Sequence, residues 1–144
     1  GRTEPDKDPD MDATIRREVR EELGIELAAT ARFMGRADDV RAVGRGRRLP
    51  LIISVFVYQL IIPVEPRPNQ EVVAAMWIPV AALLDENNME WIDYMMEGDR
   101  YRLPAIRHGG RLIWGLTYRM LDNIMSIAGR PLSGDPLVVP EELK

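Results

Sequence analysis

The sequence predicts an α/β fold in which helices are layered on a β-sheet. Segments with apolar residues at helical spacing alternate with runs of β-branched and aromatic residues, an order typical of helices packed on a sheet. A chain of 144 residues is long enough for one domain with a buried core. Its apolar content of 46% and charged content of 29% are globular values. We therefore expect a single domain over residues 1–144.

The first predicted helix follows a loop and has suitable residues at both ends. Residues 1–9 are rich in Asp and Pro, which favours a loop. Asp10 or Asp12 can cap a helix over residues 13–23, because a carboxylate accepts hydrogen bonds from the free N–H groups of the first turn. Gly24 takes up the left-handed conformation at low cost, so we expect it to end this helix.

Two strands are expected next, over residues 30–37 and 51–62, with a flexible excursion at 44–48. The second strand is dominated by Ile, Val, Phe and Tyr. Its nearly unbroken apolarity predicts a central strand covered by helices on both faces. The remaining predicted elements are a strand over 72–78, a short helix from residue 80, a helix over 89–96, strands over 101–106 and 111–113 around a turn at Gly109 and Gly110, a helix over 115–127, and a tail over 131–144.

Composition excludes several classes of protein. The chain contains no Cys, so disulfides, zinc–thiolate sites and thiol nucleophiles are excluded. A formal net charge of −4 argues against a nucleic-acid groove. We find neither an apolar run long enough for a membrane span nor the pattern of a signal peptide. A cytoplasmic protein without nucleic-acid or membrane partners is the resulting expectation.

Three carboxylates near the end of the first helix are the strongest functional signal. Glu18, Glu21 and Glu22 fall within roughly 100° of helical arc, and Arg17 flanks them at i, i+4 to Glu21. Like charges repel at this spacing, and the C-terminal turn already carries negative partial charge. Concentrated carboxylate oxygen suits a hard divalent cation such as Mg²⁺. The alternative is a solvated Glu/Arg helix face.

The order of residues around these carboxylates resembles the core of the Nudix box, the signature of the Nudix hydrolase family. The seven positions that the motif specifies are Arg17, Glu18, Val19, Glu21, Glu22, Gly24 and Ile25. Gly1 resembles the upstream Gly of the box, and Asp8 or Asp10 its upstream acidic residue, at a slightly longer spacing than usual. The resemblance implies an α/β/α sandwich with a mixed β-sheet and the box as a loop–helix–loop.

The family resemblance also implies at least one strand before the box. Gly1 is the only residue that resembles the paired glycines preceding the box helix, so we expect the first strand or strands to be absent from residues 1–144. Either upstream residues or a second chain would then complete the sheet. A homodimer is the expected assembly.

A second segment resembles one Nudix subgroup. Residues 113–117 read Ile-Trp-Gly-Leu-Thr, similar to the Trp-Gly-x-Thr segment that opens the C-terminal helix in coenzyme A diphosphatase-like members. The opening of the box, residues 1–14, resembles that subgroup as well. The alternative for Trp114 and Gly115 is packing alone, with a Trp at a helix start and a Gly allowing close approach.

The chemistry implied by the resemblance is metal-dependent hydrolysis of a nucleoside diphosphate linked to another moiety. Glu18, Glu21 and Glu22 would hold Mg²⁺ or Mn²⁺. Either Glu71 or a box glutamate would accept the proton from water, and Arg17 would orient Glu21. Specificity residues are not identified, so an ADP-ribose or nucleoside triphosphate pyrophosphatase and a non-catalytic nucleotide-sensing module remain alternatives.

Overall fold

A computed structural model describes residue 6, residues 9–44 and residues 47–134. Most of the loop expected over residues 1–9, part of the excursion at 44–48 and the tail from 135 onward lie outside the described residues. The chain divides into two compact units. One comprises residues 1–35 and 56–77, and the other comprises residues 36–55 and 78–144.

Four α-helices, one 3-10 helix and five strands make up the described secondary structure. In chain order they are α1 (Met11–Leu23), α2 (Leu27–Thr30), β1 (Ala31–Gly44), β2 (Arg47–Leu60), α3 (Val80–Leu83), a 3-10 helix (Glu86–Asn88), β3 (Met89–Met96), β4 (Asp99–His108), β5 (Arg111–Trp114) and α4 (Gly115–Ile127). The α/β class is confirmed, with the strands distributed over two sheets. None of the helices in the described ranges has the length and apolar character needed to cross a membrane.

The first sheet consists of β1 and β2. The strand predicted over 51–62 is therefore present, but the prediction that it is central and covered on both faces is wrong for the described residues. Ile52 is 64% exposed, whereas Val55 is only 6% exposed. An apolar run favours a strand but does not determine which elements pack on its two faces, because those elements come from distant parts of the chain.

The second sheet has the order β3-β4-β5, with both pairs antiparallel. The helix predicted over 89–96 is wrong, since these residues form β3 and pair with β4 from Met89 opposite Ile106 to Met96 opposite Asp99. Exposed and half-buried residues alternate from Trp91 to Met96, which is the period of a strand. The predicted β4–β5 hairpin is confirmed.

The strand predicted over 72–78 is also wrong. These residues run as irregular chain before α3, and Val73 is 93% exposed. Among the described residues this wholly apolar run has no hydrogen-bonded neighbour strand, and β propensity alone does not hold an extended segment in a sheet.

Helix α4 organises the core of the second unit. On one face, Leu116, Met120 and Ile124 pack against the cluster of Ala37, Val40 and Val55. A second cluster consists of Leu83, Ile106, Tyr118, Met125 and Leu132. The start of the C-terminal segment is docked on this unit, because the Leu132 N–H donates to the Asp122 carboxylate at 2.9 Å. The helix predicted over 115–127 is confirmed to the residue.

Candidate active site

Helix α1 carries the candidate site, and short-range interactions fix both of its ends. The Asp10 carboxylate accepts a hydrogen bond from the Ala13 N–H at 2.8 Å, so Asp10 is the N-cap. Gly24 has φ 66° and ψ 20°, the left-handed conformation, and its N–H donates to the Arg20 carbonyl at 3.0 Å. The predicted end at Gly24 is confirmed. Of the two predicted caps Asp10 is the one used, so the helix begins at Met11, two residues before the predicted start.

Arg17 lies between two of the three glutamates. Its guanidinium contacts Glu18 at 3.1 Å and Glu21 at 3.0 Å, measured from nitrogen to carboxylate oxygen. The side chain of Arg17 is only 10% exposed, whereas that of Glu21 is 51% exposed. The predicted contact with Glu21 is confirmed, and the contact with Glu18 is an addition that helical spacing alone did not reveal. One cation therefore offsets repulsion between two carboxylates that share a helix face.

Arg16 pairs with Asp12 rather than with the three glutamates. Its Nε atom contacts the Asp12 carboxylate at 2.7 Å, and the Tyr58 hydroxyl donates to the same carboxylate. Burial, followed by the hydrogen bond to Asp12, raises the pKa of Tyr58 above its ordinary value. The first turn of α1 is thereby tied to β2, and Arg16 is committed to Asp12 in the first turn.

The glutamate carboxylates are suitable ligands for a hard divalent cation, but their oxygens are not arranged around a common position. Carboxylate oxygens are the ligands that Mg²⁺ takes in proteins. Across the described ranges, no group of three His, Cys, Asp or Glu side chains has an arrangement that could hold a metal ion. Since Arg17 holds Glu18 and Glu21, a cation would require these carboxylates to turn. The assignment of Glu18, Glu21 and Glu22 as ligands stays a prediction.

The loop that follows β2 closes the C-terminal end of α1. The last carbonyl groups of a helix have no partner within the helix. Here the Arg67 N–H donates to the Leu23 carbonyl at 2.7 Å, and the Asn69 N–H donates to the Glu22 carbonyl at 2.9 Å. The Asn69 side-chain amide donates to the Glu21 carbonyl at 3.0 Å. This loop therefore completes the end of the helix that carries the glutamates.

Glu71 is brought to the same place through its backbone. The Glu71 N–H donates to the Asn69 side-chain oxygen at 2.8 Å. The residue is exposed, so its carboxylate is accessible to solvent. Sequence reasoning identified Glu71 but missed Asn69. The available signal was local: Asn two residues before Glu favours a turn in which the Asn side chain accepts a backbone N–H.

The segment over 113–117 lies in the second compact unit. Trp114 is the N-cap residue of α4 with extended backbone, and Gly115 follows with φ 60°. The Trp114 ring lies 5.7 Å from the Tyr94 ring, centroid to centroid. Trp114 is still 40% exposed. Its packing on β3 is therefore established, and a role in binding stays a prediction.

Comparison with known proteins decides the family. The family model described as the NUDIX domain matches residues 1–97, which include α1 and the loop that carries Asn69 and Glu71. The chain belongs to the Nudix family. The family that residues 17–25 resemble is thereby confirmed, and α1, which carries these residues, is called the box helix below.

Two relatives of this Nudix chain are coenzyme A diphosphatases by name. The mitochondrial coenzyme A diphosphatase NUDT8 of Homo sapiens is 32% identical over 122 residues, covering 81% of this chain and 48% of the relative. The protein of the same name from Mus musculus is 29% identical over 143 residues, covering 98% of this chain and 66% of the relative. The chain thus spans between about half and two thirds of the length of these relatives.

Proposed function

We propose that this Nudix protein hydrolyses the diphosphate linkage of a nucleoside diphosphate joined to another moiety, with a coenzyme A-like substrate favoured. The observation that carries the proposal is the box helix itself, in which three glutamates share one face and Arg17 holds two of them. The names of the two relatives and the resemblance of residues 113–117 support the choice of substrate.

The proposed cofactor is Mg²⁺ or Mn²⁺, with Glu18, Glu21 and Glu22 as the residues that would hold it. Such a cation, when bound, neutralises diphosphate charge and makes water a better nucleophile. Three carboxylates supply the oxygen donors that these metals prefer, and the cation would relieve repulsion along the helix face. We therefore expect the glutamate face of α1 to bind a divalent cation.

The remaining steps are assigned to side chains of the chain itself. Glu71, or alternatively Glu21, would accept the proton of the attacking water as general base. Glu71 is exposed and anchored next to the box helix, which supports its role. Arg17 would orient Glu21, since its guanidinium is largely buried and already contacts that carboxylate. The products would be a nucleoside monophosphate-type half and a phosphorylated half.

A substrate panel tests the proposed function directly. Coenzyme A, ADP-ribose and a nucleoside triphosphate would each be incubated with the protein and Mg²⁺, and products would be identified by mass spectrometry. We expect the fastest cleavage with coenzyme A and none in excess chelator. Preference for ADP-ribose or the triphosphate would favour the alternative pyrophosphatase. Tight binding of a nucleotide without turnover would favour a sensing module.

Two further expectations accompany this proposal. We keep the homodimer as the expected assembly, to be checked by light scattering together with intact mass. We also keep the cytoplasm as the expected location, although both relatives are mitochondrial by name. Microscopy of the tagged, full-length protein would distinguish the two compartments.

A further inference from the structure

We propose that Asn69 is a positioning residue that fixes Glu71 at the end of the box helix. The inference rests on the proposed function, because it assigns Asn69 a role through the proposed general base. It adds a residue that is neither part of the box motif nor one of the candidate ligands.

Three hydrogen bonds carry the proposal. The backbone of Asn69 donates to the Glu22 carbonyl at 2.9 Å, and its side-chain amide donates to the Glu21 carbonyl at 3.0 Å. The side-chain oxygen accepts from the Glu71 N–H at 2.8 Å. One residue thus joins the backbone of two candidate metal ligands to the backbone of the candidate base.

The chain around Glu71 explains why such a connection is needed. Residues 61–79 contain neither helix nor strand, so no ladder of backbone hydrogen bonds holds this segment. Glu71 itself is exposed. A general base must lie within hydrogen-bond reach of the water it deprotonates, and a displacement of about 1 Å can cost roughly 10²-fold in rate. The Asn69 side chain adds a restraint on Glu71 to the backbone bond of this turn, in which the Val72 N–H donates to the Asn69 carbonyl at 3.3 Å.

The chemistry of the amide separates this role from simple helix capping. An Asn side chain both donates and accepts, an Asp carboxylate only accepts, and Ala does neither. Asn69→Asp keeps the acceptor for the Glu71 N–H, loses the side-chain donation to Glu21 and places a carboxylate oxygen against the Glu21 carbonyl. Asn69→Ala loses both bonds. If capping of α1 were the whole role, both substitutions would act alike.

A double-mutant cycle on coenzyme A hydrolysis tests the proposal. We expect Asn69→Ala to lower kcat by about 10- to 100-fold with little change in KM, because the restraint acts on the base. In a Glu71→Gln background the same change should cost less than about 3-fold, since residues that act as one unit are not additive. Asn69→Asp should recover part of the rate, because it keeps the bond to the Glu71 N–H and loses the bond to the Glu21 carbonyl. Asn88→Ala, which removes a comparable 2.9 Å side-chain bond to the Ala82 carbonyl, should leave kcat unchanged.

Hydrogen exchange of the Glu71 amide gives a readout independent of turnover. We expect faster exchange in Asn69→Ala and near-wild-type protection in Asn69→Asp. Equal kcat losses in both Glu71 backgrounds, or unchanged Glu71 exchange in Asn69→Ala, would overturn the positioning role while hydrolysis stands. If wild-type protein cleaves no diphosphate but Asn69 still protects the Glu71 amide, the proposed function fails and the anchoring contact stands.

Discussion

Gly24 connects the stability of the box helix to the geometry of residues 67–71, the loop that anchors the proposed base Glu71. Its φ of 66° is costly for any residue that has a Cβ atom. A Cβ added there would lie 3.4 Å from the Cβ of Arg67, within ordinary van der Waals contact. Arg67 in turn donates to the Leu23 carbonyl. We therefore expect Gly24→Ala to destabilise the fold through its backbone and, as residue 24 relaxes, to shift the Leu23 carbonyl to which this loop donates.

The size of the effect follows mainly from the backbone. Holding an L-residue in the left-handed region costs roughly 1–2 kcal/mol. The new contact adds little, because at 3.4 Å Arg67 need hardly move. For a chain of this length, 1 kcal/mol corresponds to roughly 3–4 °C in Tm, so the expected decrease is about 3–8 °C. A rate loss should accompany it, because the loop that anchors Glu71 is hydrogen-bonded to the Leu23 carbonyl, which moves when the backbone at residue 24 relaxes.

Gly129 provides a matched control for this substitution. It has φ 72° after α4, with open space where the Cβ of an alanine would lie, and it belongs to the other compact unit. Gly129→Ala should cost similar stability in thermal unfolding and leave kcat unchanged. An unchanged Tm in Gly24→Ala would refute the backbone argument. Equal kcat in the two variants would refute the coupling between Gly24 and the loop over residues 67–71.

Three further predictions concern other interactions. Arg17→Gln should lower the free energy of unfolding by about 1–3 kcal/mol, because Glu18 and Glu21 lose a largely buried cation. Mg²⁺ should restore part of this loss in thermal unfolding, and substitution of the exposed Arg20 by Gln is the control. Asp10→Ala should cost about 1 kcal/mol in denaturant unfolding, and Asp10→Asn should cost far less. Burial raises the pKa of Tyr118 to about 12 from an ordinary 10.0, so the unfolded chain loses that proton first and stability should fall from pH 10 to 12. Tyr118→Phe should reduce this slope, with a remainder due to Tyr58, whose pKa is also raised; an unchanged slope would contradict the prediction.

The parts of the fold that sequence predicted correctly are those set by neighbours in the chain. Asp10 caps α1 through a residue three positions away, and Gly24 ends it through its own backbone preference. Helix α4 begins at Gly115 as expected. The box residues were equally local, because helical spacing alone places Arg17 next to Glu21.

The incorrect predictions concern residues whose structure depends on contacts with distant parts of the chain. Trp91, Ile92, Met95 and Met96 have spacings that suit a helix, yet pairing with β4 makes β3 a strand. Asn69 was missed for the same reason, since its side-chain bond to Glu21 spans 48 positions. Local propensity predicts a turn at Asn69, but only the folded chain shows what that turn touches.

Substitution of Glu22 tests the central claim most directly. Glu22→Gln keeps the shape of a half-buried side chain and removes one proposed ligand charge. Coenzyme A hydrolysis at saturating Mg²⁺ should fall by about 10²-fold or more, without loss of stability in the metal-free protein. Glu26→Gln, an exposed glutamate whose side chain makes no cap hydrogen bond, should retain wild-type turnover. Near-wild-type turnover by Glu22→Gln would contradict the account.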